Sequence, residues 1–227
     1  MANQEVHIVK PVYVWEVPVR IFHWINALAL VALAATGYLI GNPPALLTNL
    51  EAYDGYWFGT VRFIHFGSAY LFLFNWVYRV YWAFVGNQYA RWNTFLPVTK
   101  AQWQEVGQVL VIDLFMAKQG EIKSVGHNAL ASMIYLVLFG ASIFSILTGF
   151  ALYAPMSSSL IPGFFAWFGG FFESEMTLRY WHHVAMWFYA LFVIVHVYLV
   201  AYHDYVEARG VLSSMVGGWK FIFQKKG

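Results

Sequence analysis

Trp181-His182-His183-Val-Ala-Met-Trp-Phe-Tyr-Ala-Leu-Phe-Val-Ile-Val-His196-Val-Tyr198 is the stretch on which the reading of this chain turns. It holds no Lys, Arg, Asp or Glu and no Pro or Gly, so it reads as an uninterrupted apolar helix. At about 100° per residue His182 and His196 fall within about 40° of one face, while His183 is about 140° out of phase with His196. A rise of about 1.5 Å per residue puts His182 and His196 about 21 Å apart. In a hydrocarbon core about 30 Å thick, that places one imidazole towards each side.

Composition agrees with a membrane setting. The chain has 227 residues, 60% hydrophobic and 11% charged, with a mean hydropathy of +0.56. A soluble domain is roughly a quarter charged, so most of this surface does not face water. Aromatic residues reach 21%, including 11 Trp, enough to supply interfacial belts and to line a flat apolar cofactor. The absence of Cys excludes thiolate-held iron–sulfur clusters, covalent haem attachment through C-x-x-C-H, and disulfides. Glu5, Lys10, Glu16 and Arg20 lie in the first 20 residues with no small-residue cleavage site, so the first span is expected to be retained as the insertion signal.

Four stretches reach the about 20 apolar residues a spanning helix needs: about 21–40, 62–85, 127–153 and 181–203. Between the second and third, Thr99 and Gln102 resemble a capping box opening a segment to about Met116. Glu105 and Asp113 interrupt its apolar side, which predicts a surface amphipathic helix rather than a span. Residues 154–172 are apolar, but Pro155, Pro162 and Gly169-Gly170 break them, predicting an interfacial or re-entrant loop. With the N-terminus cytoplasmic, only Arg62 and Arg179 of the 13 basic residues lie outside. The positive-inside rule then puts both termini in the cytoplasm. The expected fold is an all-α integral membrane protein: a four-helix bundle plus the surface helix, as one domain over residues 1–227, with no internal repeat.

This topology pairs histidines by depth. His65 starts the second span near the outer face, level with His182. His23 starts the first span near the inner face, level with His196. Each pair suits a bis-imidazole site for a non-covalent b-type haem, and ionisable groups inside a membrane carry function by default. Arg20, Arg62 and Arg179 each precede one of these histidines by three residues, one helical turn towards the interface. A guanidinium there can pair with a haem propionate. Ordinary snorkelling is the alternative, strongest for Arg20 and weakest for Arg62 and Arg179, the two outer basic residues. His7 lies in a polar tail. His203 shares the phase of His196 but sits beside Asp204 at the inner interface, a fallback ligand. His127 and Asn128 open the third span at the inner side and are candidates for a quinone pocket or, alternatively, an interfacial cap.

Several segments resemble the b-type cytochrome subunit of membrane-bound nickel–iron uptake hydrogenases. They are Glu16-Val-Pro-Val-Arg-Ile-Phe-His23-Trp24, Thr36-Gly-Tyr-Leu-Ile-Gly41, Arg62-Phe-Ile-His65-Phe66 and Tyr78-Arg-Val-Tyr-Trp-Ala-Phe-Val-Gly-Asn-Gln-Tyr-Ala-Arg91. Gly126-His-Asn128, Leu147-Thr-Gly-Phe-Ala-Leu-Tyr153, Trp181-His182 and His196-Val-Tyr198 continue the series in order. The resemblance implies four spans, two haems b, and His23, His65, His182 and His196 as iron ligands. It also implies a hydrogenase small subunit, with its large subunit, docked on the outer face of a bacterial inner membrane. Electrons would pass from its iron–sulfur chain to a quinone. This chain supplies no nickel site, so the hydrogen chemistry belongs to the partner. A cytochrome b serving another dehydrogenase, of the formate dehydrogenase type, is the runner-up. A haem-free anchor or transporter with proton-relay histidines is the alternative from another class.

Overall fold

The computed structural model describes residues 7–44, 55–94, 103–104, 129–207 and 210–225. Four long helices carry the chain: α1 (Val17–Gly41), α2 (Trp57–Val85), α3 (Ala129–Tyr153) and, after the short α4 (Leu160–Phe165), α5 (Glu175–Glu207). A short α6 (Val211–Gly217) follows. The strands β1 (His7–Tyr13) and β2 (Trp219–Lys225) pair antiparallel, with Tyr13 opposite Trp219 and His7 opposite Lys225.

The helix ends follow local chemistry. Pro18 sits in the first turn of α1, where its missing N–H costs nothing, and Pro43-Pro44 stops the helix after Gly41. Ser174 opens α5: its hydroxyl accepts the N–H of Thr177 at 3.2 Å, and Glu175 places negative charge at the positive end of the helix. Gly210 and Gly218, with φ of 67° and 89°, bracket α6 in left-handed turns. A Cβ on Gly218 would stand 2.5 Å from the Tyr13 ring and 2.7 Å from the Trp15 carbonyl, so this turn needs glycine for space as well as conformation.

Three helical stretches are long and apolar enough to cross a membrane: Val17–Gly41, Ala131–Met156 and Glu175–Tyr202. α2, at 29 residues, is long enough, but Arg62, His65, Asn75, Arg79 and its tyrosines and tryptophans lower its hydropathy. Large apolar side chains face outward along the helices, among them Leu28, Phe74, Leu191 and Ile194, each more than half exposed. Contiguous apolar surface of this extent marks a non-aqueous environment.

The expectation of an all-α fold is corrected by the β1–β2 pair. Trp219, Phe221 and Phe223 alternate with Lys220, Ile222 and Gln224, the period of a strand, and β1 is rich in β-branched residues. α1 and α5 begin earlier and end later than their apolar runs, because helical pairing continues beyond the hydrophobic part. Residues 154–172 fold as broken short helices, and the apolar piece Leu160–Phe171 is only 12 residues, about 18 Å at 1.5 Å each and too short to span. The proposed surface helix at 99–116 lies outside the described residues, apart from helical Trp103 and Gln104.

Contacts gather into two compact units: Met1–His23, Arg79–Leu138 and Val195–Gly227 form the first, Trp24–Tyr78 and Phe139–Ile194 the second. The first has Val14, Trp15, Val19 and Ala90 at its core. The second centres on Ala29, Phe72, Ile146 and Phe150, from α1, α2 and α3.

Candidate cofactor sites

His65 and His182 belong to the second unit, on α2 and α5. Both are half-buried, and His182 lies within electrostatic range of His65 and of His183. Each is held by a neighbouring helix in the same way. Thr36 of α1 places its Oγ1 2.9 Å from His65 Nδ1, and Thr148 of α3 places its Oγ1 2.8 Å from His182 Nδ1. The glycine after each threonine lies against the same ring. A Cβ on Gly37 would sit 3.2 Å from His65 Cε1, and one on Gly149 3.0 Å from His182 Cε1. Two Thr-Gly dipeptides occur in the sequence, and each cradles one of these histidines.

His183 separates from His182 as the helical phase predicts. Its Nδ1 donates to the Arg179 carbonyl at 3.0 Å, and its ring packs on Gly41, where a Cβ would stand 2.1 Å from Nε2. His182 therefore packs against α3 while His183 faces α1. Arg62 donates to Met156 Sδ at 3.0 Å and lies 5.7 Å over Phe66, which stacks on Tyr153 at 4.2 Å. Arg179 is exposed and paired with Glu175. Its charge is thus already partly answered.

His23 and His196 belong to the first unit, with ring centroids 6.4 Å apart and planes at 53°. Two metal–imidazole bonds of about 2.0 Å each, plus the reach from each nitrogen to its ring centre, come to about 6 Å. The separation therefore suits one iron held between them. Arg20 donates to the Val216 carbonyl, which ties it to α6. Beside Phe22, the neighbour of His23 in sequence, lies a residue that sequence reasoning counted only as a topological charge. Arg79 is 3% exposed, donates to the Ala90 carbonyl at 3.1 Å, and lies 5.9 Å from the Phe22 ring and 5.3 Å from the Tyr135 ring.

A polar clamp closes this unit. Glu16 Oε2 accepts from Trp82 Nε1 at 3.1 Å and from the Asn87 backbone N–H at 2.8 Å. The Asn87 amide donates to the Val14 carbonyl at 3.0 Å, and its Oδ1 accepts from Tyr89 and Ala90 N–H at 3.0 and 3.1 Å. Apart from Val14, these residues belong to the Glu16–Trp24 and Tyr78–Arg91 segments singled out in the sequence. His7 falls in β1 and His203 in α5, while His127 and Asn128 lie outside the described residues. Among the described residues no group of three or more His, Asp or Glu is arranged to hold a metal ion.

Residues 14–218 match the family model described as prokaryotic cytochrome b561. A protein of Azotobacter chroococcum named "Probable Ni/Fe-hydrogenase B-type cytochrome subunit" is 40% identical over 215 residues, 93% of this chain and 89% of that protein. A relative of the same name from Cupriavidus necator is 41% identical over 216 residues, covering 93% and 88%. The Escherichia coli K12 relative, named "Probable Ni/Fe-hydrogenase 1 B-type cytochrome subunit", is 38% identical over 216 residues, covering 92% and 90%.

Proposed function

The chain belongs to the prokaryotic cytochrome b561 family, among its nickel–iron hydrogenase B-type cytochrome subunits, and from that premise we propose a di-haem electron carrier. It anchors a nickel–iron hydrogenase on the outer face of the bacterial inner membrane and passes electrons from the small subunit of that enzyme to a quinone. The observation that carries this reading is the 6.4 Å separation of the His23 and His196 rings, supported by the paired Thr-Gly cradles of His65 and His182.

His65 with His182, and His23 with His196, are the residues that would hold the two haems b. When bound, such a group supplies one-electron transfer without proton chemistry at the iron. The protein's part is to fix four imidazoles, exclude water with apolar helix faces, and offer cations to the propionates. Arg62 and Arg179 take that role for the His65–His182 site. Arg20 takes it for the other pair, and Arg79, more deeply buried, is the stronger cation there. His127 and Asn128, at the cytoplasmic start of the third span, are the candidate quinone contacts.

Four spans with both termini cytoplasmic agree with two observations. The pairing of residues 7–13 with 219–225 supports placing both on one side, and with it an even number of crossings. Three helices qualify on apolarity, and the 29-residue length of α2 supports it as the fourth. The basic residues then fall inside, apart from Arg62 and Arg179.

The test is purification of the full chain with its bound cofactor, followed by a reduced-minus-oxidised spectrum and a haem-to-protein ratio. Paired b-type bands and two haems per chain are expected. A chain without b-type bands would overturn the cytochrome reading. Co-purification of nickel and iron–sulfur subunits tests the partner, and their replacement by a molybdenum- or tungsten-containing dehydrogenase would overturn the hydrogenase assignment.

A further inference from the structure

We propose that Thr36 and Thr148 are positioning residues that fix His65 and His182 as Nδ1–H tautomers, so that Nε2 is the atom that binds iron. This rests on the reading of these two histidines as haem ligands. The assignment follows from counting protons. A threonine hydroxyl has one proton to donate and lone pairs to accept with, and a backbone carbonyl can only accept. Thr36 Oγ1 lies 2.5 Å from the Ala32 carbonyl oxygen and Thr148 Oγ1 lies 2.8 Å from that of Phe144. Oxygens at that distance need a proton between them, and only the hydroxyl can supply it.

Each hydroxyl therefore faces its histidine with a lone pair. A ring nitrogen 2.8–2.9 Å from that lone pair must carry the hydrogen. The result is a relay, Nδ1–H to Oγ1–H to C=O, on both rings. Threonines in apolar helices commonly bond back to the carbonyl one turn earlier. That habit accounts for the second link of each relay but not for the first, which occurs at both histidines. Gly37 and Gly149 complete the cradle by letting the ring edge approach the supporting helix. Helices α1 and α3 thus act as struts for ligands borne by α2 and α5.

A metal-bound imidazole that donates its other N–H to a polarised oxygen is oriented and made a stronger electron donor. Stronger donation favours the oxidised iron. Loss of the hydroxyl should move the potential of one haem to more positive values and weaken its retention, roughly 10- to 100-fold by the usual cost of removing such a partner. The other haem should not move.

The experiment is an equilibrium redox titration of the purified haem-containing chain, followed in the visible bands, with haem content measured alongside. Thr36→Val and Thr148→Val should each shift one and the same haem positive, and Thr36→Ser and Thr148→Ser should restore it. Potentials unchanged in both valine variants would overturn the proposal. If the valine variants lose that haem outright, serine and alanine replacements decide: retention with serine and loss with alanine supports the relay, and equal behaviour overturns it. His65→Ala and His182→Ala are the controls for the underlying reading. If either keeps both haems, the ligand assignment itself fails and the tautomer proposal falls with it; if both lose one haem while the valine variants are silent, only the tautomer proposal fails.

Discussion

The two histidine pairs are built by different means. His65 and His182 are each held from behind by a threonine and a glycine on another helix, so their orientation is set before any iron arrives. His23 and His196 face one another directly, and none of the described glycines has either ring among its nearest neighbours. Their unit is also stiffened through Glu16, Trp82 and Asn87 and through the pairing of the two strands. The Thr-Gly supports act on the first pair directly, and the clamp and the strands act on the frame around the second. Preorganisation close to the ligand should show up in cofactor properties, and preorganisation through the frame in stability.

The largest effects that could break this contrast come from the ligands. Alanine at His65 or His182 should leave the same single haem, and alanine at His23 or His196 should leave the other, each halving the b-type absorbance. Residual spectra that group the four variants differently would show the pairs are misassigned. Next come the cradles. Gly149→Ala forces a Cβ to 3.0 Å from the His182 ring and Gly37→Ala to 3.2 Å from that of His65. Both should deplete the haem whose loss defines the His65 and His182 variants, Gly149→Ala the more severely, as read from haem content. Depletion of the other haem would contradict the separate build of the two sites.

The frame gives an intermediate effect. Asn87→Ala removes an amide that donates once and accepts twice. At about 1 kcal/mol per hydrogen bond, it should cost about 2–3 kcal/mol, seen as a lower melting temperature in detergent with little change in the potential of the His65–His182 haem. A changed potential there with unchanged melting would reverse the contrast. The smallest effect is at the cations. Arg62→Gln should shift the potential of the His65–His182 haem more than Arg179→Gln, because Arg179 is exposed and already paired with Glu175. Equal and null effects on that potential would remove both from the site.

Much of this was legible from spacing. Helical phase separated His182 from His183, and depth matched His23 to His196, because a membrane reduces a helix to two coordinates, height and angle. The roles of Thr36 and Thr148 were not legible, although both stood in segments already singled out. A hydroxyl aimed across to another helix looks, in sequence, like any small polar residue in an apolar run. Arg79 was hidden for a similar reason: the positive-inside rule explained its charge and gave no cause to ask about its burial. The strands escaped notice because a search for 20-residue apolar runs passes over seven-residue alternation. Breadth of the helices beyond their apolar cores escaped for the converse reason, since hydropathy stops at the lipid and hydrogen bonding does not.

The pairing of β1 with β2 has a consequence in time. Residues 7–13 leave the ribosome first and their partners, residues 219–225, more than 200 residues later. At about 5–20 residues per second, that is a delay of roughly 10–40 s. Throughout it the first unit lacks its closing strand, while the last segment of the second ends at Ile194, before that strand has begun to be made. Synthesis order therefore completes the unit that carries His65 and His182 first and leaves the unit that carries His23 and His196 open-ended until the last strand pairs.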